Sequence, residues 1–184
     1  AEVIANDLDE EHLERLAVEA LSEGVKRPTT IRGRFPTDFD LPNESLSAVH
    51  ASNVLHFLKG EDIEAGAKKI FGWLEPGGKV FTISATPYAV NIKGFIQTYE
   101  ARRAAGLRWP GECEQISAFS EDPTIKELPD FMNLLDDTVL ARSFRDAGFD
   151  VEESRLFFRR DTPDYIRFDG RENVRMIAVK PGGR

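Results

Sequence analysis

The chain has 184 residues, of which 41% are hydrophobic, and its formal net charge is −8 at pH 7. This length suits one domain with a buried core, whereas two domains would leave little core for each. The acidic balance disfavours non-specific binding to nucleic acid and to anionic membranes. We therefore expect neither as a partner, and these properties predict no oligomeric state.

The cysteine and hydropathy patterns predict a cytoplasmic protein without a resident metal. The single cysteine, Cys113, excludes an intramolecular disulfide, and no cluster of cysteine and histidine suggests a zinc site. No run of about 18 apolar residues predicts a membrane-spanning helix. The acidic start AEVIANDLDEEHL lacks the basic-then-apolar order of a signal peptide.

Strand-like and helix-like segments alternate from the start of the chain, which is typical of an α/β fold. Residues 1–6 form a short apolar run that reads as the end of a strand. Asp9 can cap the helix that follows, and Gly24 ends that helix. Residues 29–35 are β-rich and predict a short strand, and residues 37–45 predict a loop.

The alternation continues through the middle of the chain. Residues 46–52 are small and apolar without a break, which predicts a strand buried on both faces. Residues 61–74 predict an amphipathic helix. The sequence Glu-Pro-Gly-Gly at residues 75–78 predicts a turn, and residues 79–84 predict the next strand.

Residues 86–135 differ from the rest of the chain. This segment holds four prolines and several aromatic residues, and it is far longer than a usual connection of roughly 4–6 residues. We interpret it as a lid-like insertion within a single domain that spans residues 1–184. Residues 93–105 within it predict a helix.

The last part of the chain predicts a helix followed by two strands. Asp136 or Asp137 can cap the helix. The β-rich residues 149–158 and 174–179 predict an antiparallel pair, joined by the polar residues 159–173.

Four stretches, in this order, resemble the class I S-adenosylmethionine-dependent methyltransferase family. VIANDLDEEHLERL resembles the end of the family's second strand with its acidic residue. DLPNESLSAVHASNVLHFL resembles the loop, fourth strand and following helix start, and LEPGGKVFTIS resembles the turn and fifth strand. LLDDTVLARSFRDAGFDVEES resembles the last helix and the sixth strand. Their order and spacing make the combination specific.

The resemblance implies a Rossmann-like sheet that is mostly parallel and has an antiparallel C-terminal strand pair. It also implies S-adenosylmethionine as the cofactor, lying across the carboxyl ends of the strands, as ligands do in open α/β sheets. The family's first strand and its glycine-rich loop would precede Ala1. We therefore expect the natural protein to be longer and this domain to be N-terminally incomplete. The alternative is a truncated relative that binds no cofactor.

The first cofactor residues implied by the resemblance follow its second and third strands. Asp7 occupies the position of the acid that accepts hydrogen bonds from the ribose diol; the alternative is a role at the helix start. Leu8 would pack near the adenosine or simply in the core. Arg34 replaces the acid expected after the third strand, and arginine has no acceptor. The adenine contact then falls to a backbone group near Phe35, or to Asp38.

Further site residues follow the fourth strand. The family uses this strand end to contact the methionine part of the cofactor, which implies Ala51, Ser52 and Asn53 as contacts. The alternative is that Ser52 or Asn53 caps a helix. His56 is the candidate general base, because histidine has a suitable pKa; the alternative is packing. His50 is a weaker candidate, because it lies inside the strand.

The aromatic residues of the insertion predict a substrate pocket. Phe95, Tyr99 and Trp109 could enclose a flat organic acceptor and exclude water. The alternative is a separate small core beneath a long loop. Three neighbouring arginines could attract an anionic acceptor: Arg102, Arg103 and Arg108.

The predicted reaction is methyl transfer from S-adenosylmethionine to an O or N atom of a small organic acceptor. Displacement at a sulfonium carbon needs mainly orientation and a dry site, so no catalytic triad and no metal are expected. The alternatives are a non-catalytic S-adenosylmethionine-binding or regulatory relative, and a protein or nucleic-acid methyltransferase. The acidic charge counts against nucleic acid, as does the lack of an Asn/Asp-Pro-Pro-Tyr/Phe motif.

Overall fold

A computed structural model describes residues 2–182. The chain divides into two compact units, Ala1–Leu41 and Pro42–Arg184, and each is described by itself. The prediction of a single domain with a lid-like insertion stays a prediction, as does that of a longer natural protein.

The first unit is a β–α–β arrangement of β1 (Ile4–Asp7), α1 (Glu10–Ser22) and β2 (Thr29–Arg32). The two strands are parallel, with Asp7 opposite Arg32 in the register. Both strands therefore end at the same edge of this small sheet, and residues that follow them are brought together there.

Local signals set the ends of α1 where the sequence predicts them. An Asp9 carboxylate oxygen accepts a hydrogen bond from the Glu11 amide at 2.9 Å, which satisfies a backbone donor that the first turn leaves unpaired. The chain leaves the helix through Gly24, whose φ of 69° favours glycine. Leu13 and Ala17 are the buried residues of the helix.

The second unit contains the larger sheet. Its strands are ordered β3-β4-β8-β7, with β3 and β4 parallel and β8 antiparallel to both β4 and β7. The predicted Rossmann-like α/β fold with an antiparallel C-terminal strand pair is confirmed. The elements of this unit are β3 (Leu46–Ser52), α2 (Gly60–Trp73), β4 (Leu74–Ala85), α3 (Lys93–Ala104), β5 (Glu112–Cys113), β6 (Met132–Asn133), α4 (Asp137–Asp146), β7 (Asp150–Phe157) and β8 (Asn173–Val179).

The prediction that residues 46–52 are buried on both faces is wrong. Ala51 is the one buried residue of β3, and the others are exposed or half-buried. Within the described part of this unit, β3 is an outer strand that pairs with β4 alone. Small apolar side chains indicated a strand, but its burial depends on neighbours that a sequence pattern does not reveal.

The Glu-Pro-Gly-Gly sequence is a bulge inside β4 rather than a separate turn before it. From the pair Leu46–Leu74 to the pair Ala48–Lys79, the register advances five residues along β4 but two along β3. Gly77 has a φ of 83°, which favours glycine. β4 therefore begins at Leu74, five residues before the predicted start.

Two helices cover the sheet of the second unit. α2 contacts β4 and α4, and α4 contacts β7 and β8. Asp136 caps α4, because its Oδ1 accepts a hydrogen bond from the Val139 amide at 2.7 Å. Phe144 is fully buried on this helix, and its ring lies 5.5 Å from that of Phe149. These contacts hold the sheet whose carboxyl edge carries the candidate site.

The predicted helix at residues 93–105 is present as α3, and β5 and β6 form a separate antiparallel pair in the same segment. Within residues 2–182, no helix is both long enough and apolar enough to span a membrane.

Candidate active site

A cavity of about 280 Å³ opens in the second unit beside the carboxyl ends of β3 and β4. Its walls come from the turn after β3, from the segment after β4 with part of the predicted insertion, and from the connection between β7 and β8. Asn53, His56 and Glu172 bring polar groups to the lining. The location agrees with the general rule that ligands bind outside the carboxyl ends of strands in open α/β sheets.

Asn53 shapes the turn that leaves β3. Its φ of 56° lies in the left-handed region, which asparagine tolerates better than most residues. The turn leads into a short 3-10 helix, Leu55–Phe57, which Val54 precedes without a side-chain cap. α2 is likewise preceded by Lys59 without a side-chain cap. Capping by Asn53 or Ser52, the alternative to cofactor contact, is therefore absent.

His56 is held in one hydrogen-bonded state. The side chain is buried, the Ala85 amide donates to its Nδ1 at 3.2 Å, and the Ser84 Oγ lies 3.1 Å from the same atom. Because Nδ1 accepts the backbone hydrogen bond, the proton of the neutral ring belongs on Nε2. Burial lowers the pKa of His56 to about 4. At neutral pH the ring is thus uncharged, and its free function is that of a hydrogen-bond donor.

Glu172 is a buried carboxylate in the cavity wall, directly before β8. Its Oε1 accepts hydrogen bonds from the backbone amides of Phe168, at 2.6 Å, and Gly170, at 2.9 Å. Oε2 is buried and has no hydrogen-bond partner among the described residues. Burial raises the pKa of Glu172, but the amides of Gly170 and Phe168 outweigh it and hold the pKa below its ordinary value. The side chain is therefore ionised at neutral pH.

Little in the sequence distinguishes Glu172 from other acidic residues. It follows a polar, turn-rich segment in which acidic residues are common, and the only signal is its position next to the last strand. The same segment contributes Arg159 and Asp161 to the cavity wall. Their side chains form an ion pair at 2.6 Å, and the hydrogen bond from Arg159 lowers the pKa of Asp161.

None of the three predicted pocket aromatics is among the residues that line this cavity. Phe95 and Tyr99 are fully buried in the hydrophobic core of the insertion. Trp109 packs against Gly60, and the Arg142 guanidinium lies 5.2 Å from its ring centroid. A long segment needs a core of its own, and these rings form part of that packing.

The three arginines near these aromatics have partners within the second unit. Arg102 donates to the Glu112 carbonyl oxygen at 2.6 Å. Arg103 Nε lies 3.1 Å from a carboxylate oxygen of the buried Asp136. Arg108 binds two carboxylates, at 2.7 Å and 2.8 Å. The charges of Arg103 and Arg108 are thus balanced by carboxylates of the protein, and Arg102 is bound to a backbone carbonyl group.

In the first unit, Asp7 stands at the carboxyl end of β1. Its Oδ1 accepts a hydrogen bond from the Asp9 amide at 2.9 Å, so the turn before α1 uses one of its two carboxylate oxygens. The side chain is 43% exposed. The Gly33 amide donates to the Asp7 carbonyl oxygen at 3.1 Å, which places the end of β2 beside it. Leu8 is exposed.

The residues after β2 stand at that same edge. Asp38 accepts hydrogen bonds from the Arg34 amide at 3.0 Å and from the Thr37 hydroxyl at 2.8 Å. The Arg34 amide lowers the pKa of Asp38 more than the Thr37 hydroxyl does. Asp38 is thus occupied within the loop, whereas Phe35 is half-buried, with its ring centroid 6.4 Å from that of Phe39.

The chain is similar to methyltransferases in part of its sequence and in its fold. Residues 1–78 match a family model described as a methyltransferase domain. A S-adenosylmethionine-dependent methyltransferase from Methanosarcina mazei has a TM-score of 0.69 at 15% identity, over 99% of this chain and 83% of that one. One from Mesorhizobium loti has a TM-score of 0.62 at 16% identity, over 97% of this chain and 80% of that one. The first 78 residues thus resemble a methyltransferase domain, and the fold of the chain is that of these methyltransferases.

The two solved structures are named as S-adenosylmethionine-dependent enzymes. The exposed carboxylate of Asp7 fits the ribose of that cofactor, because a carboxylate oxygen can accept hydrogen bonds from its hydroxyls. The fold also occurs in a protein named as a [4+2]-cyclase, SpnF, with a TM-score of 0.62 at 15% identity, over 99% of this chain and 67% of that one. No curated protein matches this chain in sequence. Within residues 2–182, no group of three or more acidic, cysteine or histidine residues could hold a metal ion.

Proposed function

We propose that this protein moves the methyl group of S-adenosylmethionine to an O or N atom of a small organic acceptor. The observation that carries the proposal is the cavity beside the carboxyl ends of β3 and β4. Its volume of about 280 Å³ is close to the lower end of the range for small-molecule pockets, roughly 300–1,000 Å³. Asn53, His56 and Glu172 are among its polar lining residues, which can orient a ligand.

S-adenosylmethionine supplies an electrophilic methyl group and leaves as a neutral thioether. The protein then needs to orient the acceptor and to exclude water. Phe57, Ile92 and Met132 give the cavity apolar walls that serve the second need. Neutral His56 would donate a hydrogen bond from Nε2 to the acceptor, rather than remove a proton from it. The role of general base predicted for His56 is thus less favoured by the geometry.

The cofactor contacts are proposed for each unit separately. Asp7 would bind the ribose hydroxyls, with Leu8 beside the adenosine and the backbone near Phe35 against the adenine. The exposure of Asp7 and its place beside the end of β2 support this assignment. In the second unit, residues 51–53 would contact the methionine part, since they end a strand beside the cavity.

A transfer assay tests the proposed reaction. The full-length protein is incubated with S-adenosylmethionine labelled in the methyl group and with pooled small amines, phenols and carboxylates. We expect label in a small product, and much less with Asp7→Asn. The exposed Asp164 offers a matched control, so Asp164→Asn should retain transfer. Cofactor binding without transfer to any pool would favour the non-catalytic alternative, and a folded protein with neither would contradict the proposal.

A further inference from the structure

The proposed function leaves one feature of the cavity without a role, the second carboxylate oxygen of Glu172. The residue is 2% exposed, and its Oε2 has no hydrogen-bond partner among the described residues. Buried polar atoms in native proteins nearly always have a partner, because an unsatisfied one costs free energy, and more so when it is charged. Glu172 lines the cavity, and Oε2 itself is covered, so a donor that enters the cavity would reach this atom through a small rotation of the carboxylate or a shift of its neighbours.

The neighbouring cations do not supply the missing donor. Arg171, the residue before Glu172, binds the Asp169 carboxylate, and its guanidinium lies 3.8 Å from the ring centroid of Tyr88. Arg159, in the cavity wall, is bound to Asp161. Both cations are therefore neutralised by other carboxylates.

The charge of the cavity wall follows from these pairs. Arg159 and Asp161 cancel each other, and the buried ring of His56 is neutral. Glu172 then remains as the one unbalanced charge among the lining residues. A cavity with a single unpaired carboxylate attracts a cation and repels a carboxylate or phosphate.

The rest of the lining defines what the cation is attached to. The lining combines polar side chains with an apolar surface, to which Phe57, Ile92, Met132, Leu134 and Ile166 contribute. An apolar body in contact with these side chains would gain from leaving water.

We propose that Glu172 binds the amino group of the methyl acceptor, and that the acceptor is a small amine with an apolar body. The amine binds as an ammonium ion and releases one proton to solvent. Its nitrogen lone pair then forms a bond to the methyl carbon as the carbon–sulfur bond of S-adenosylmethionine breaks and the neutral thioether leaves. This inference rests on the proposed function and narrows its substrate class. The two oxygens of the carboxylate have different roles. Oε1 fixes the turn at residues 168–170, and Oε2 receives the N–H of the amine.

Glutamine at this position separates these two functions. In Glu172→Gln, the amide oxygen can still accept the Phe168 and Gly170 amides, while an NH₂ group replaces Oε2. The variant should therefore fold. Its NH₂ group, however, is a donor that faces the N–H donor of the amine, and the negative charge of the carboxylate is lost. Asp164→Asn removes the same charge from an exposed residue of the same connection, and Asp164 is not part of the cavity wall.

The test uses phenethylamine, phenethyl alcohol and phenylacetate as probes, with the full-length protein saturated with S-adenosylhomocysteine. Calorimetry measures the dissociation constant of each probe. Because hydrogen bonds to charged groups are the strong ones, we expect the amine to bind at least about tenfold more tightly than the alcohol, and the anion least. Asp164→Asn should retain this preference, and Glu172→Gln should abolish it.

Three outcomes would overturn the inference: no binding of the amine, equal binding of amine and alcohol, or an unchanged preference in Glu172→Gln. Binding of S-adenosylhomocysteine itself is measured first in the same cell. Its absence would count against the proposed function, whereas its presence without an amine preference would count against the role of Glu172 alone.

Discussion

His56 should make the folded protein sensitive to acid, and replacing it with glutamine should remove most of that sensitivity. The buried ring accepts the Ala85 amide at Nδ1, and burial lowers its pKa to about 4. The unfolded chain takes up a proton at the ordinary pKa of 6.5, whereas the folded protein does so only near pH 4. The stability that His56 contributes is therefore fully present above pH 6.5 and is lost as the pH falls toward 4.

The size of the effect follows from the two pKa values. The difference between 6.5 and about 4 corresponds to ~3 kcal/mol in the free energy of unfolding. At a pH of about 5, the unfolded ring is almost fully protonated and the folded ring almost fully neutral. Wild type should by then have lost ~2 kcal/mol through this residue alone.

Urea unfolding at pH values of about 7.5 and 5 measures this loss. Other groups titrate as well, so the quantity compared is the acid-induced loss in wild type minus that in His56→Gln. We expect a difference of ~2 kcal/mol. His50 is exposed in β3, and His50→Gln should lose as much stability as wild type. An equal loss in wild type and His56→Gln would refute the neutral, backbone-bound state of His56.

Two further predictions concern the packing that supports the cavity. In Gly60→Ala the new Cβ would lie 2.1 Å from the Trp109 ring, so we expect ~1–3 kcal/mol of destabilisation and altered tryptophan fluorescence. The control is Gly182→Ala, because a Cβ at Gly182 would meet open space. This substitution should change neither the stability nor the fluorescence. Asp136→Ala removes the cap of α4 and should lower the free energy of unfolding in urea by ~1–2 kcal/mol. Asp137→Ala, the control, should lower it less. Equal effects of the two substitutions would show that Asp136 is not the cap.

The parts of the fold that could be predicted from the sequence rest on local signals. Asp9 and Asp136 cap helices because a short side chain reaches an amide two or three residues away. Gly148 ends α4 with a φ of 103°, which favours glycine. Such interactions are complete within a few residues, so the pattern of the chain contains them.

The wall of the cavity could not be predicted in the same way, because it depends on contacts between distant segments. Glu172 stands about 120 residues after Asn53 in the sequence, yet both line one cavity. Phe95 and Tyr99 are residues of the type that lines pockets, but in the insertion they pack into its own core. Composition identifies which residues prefer to leave water, and it does not identify whether protein or ligand covers them.

Binding of S-adenosylhomocysteine to the full-length protein, followed by calorimetry, tests most directly whether this fold works as a methyltransferase. We expect saturable binding to wild type, and an affinity reduced by roughly tenfold or more in Asp7→Asn, which loses the carboxylate charge offered to the ribose. Folded wild type that shows no binding at millimolar ligand would contradict this expectation.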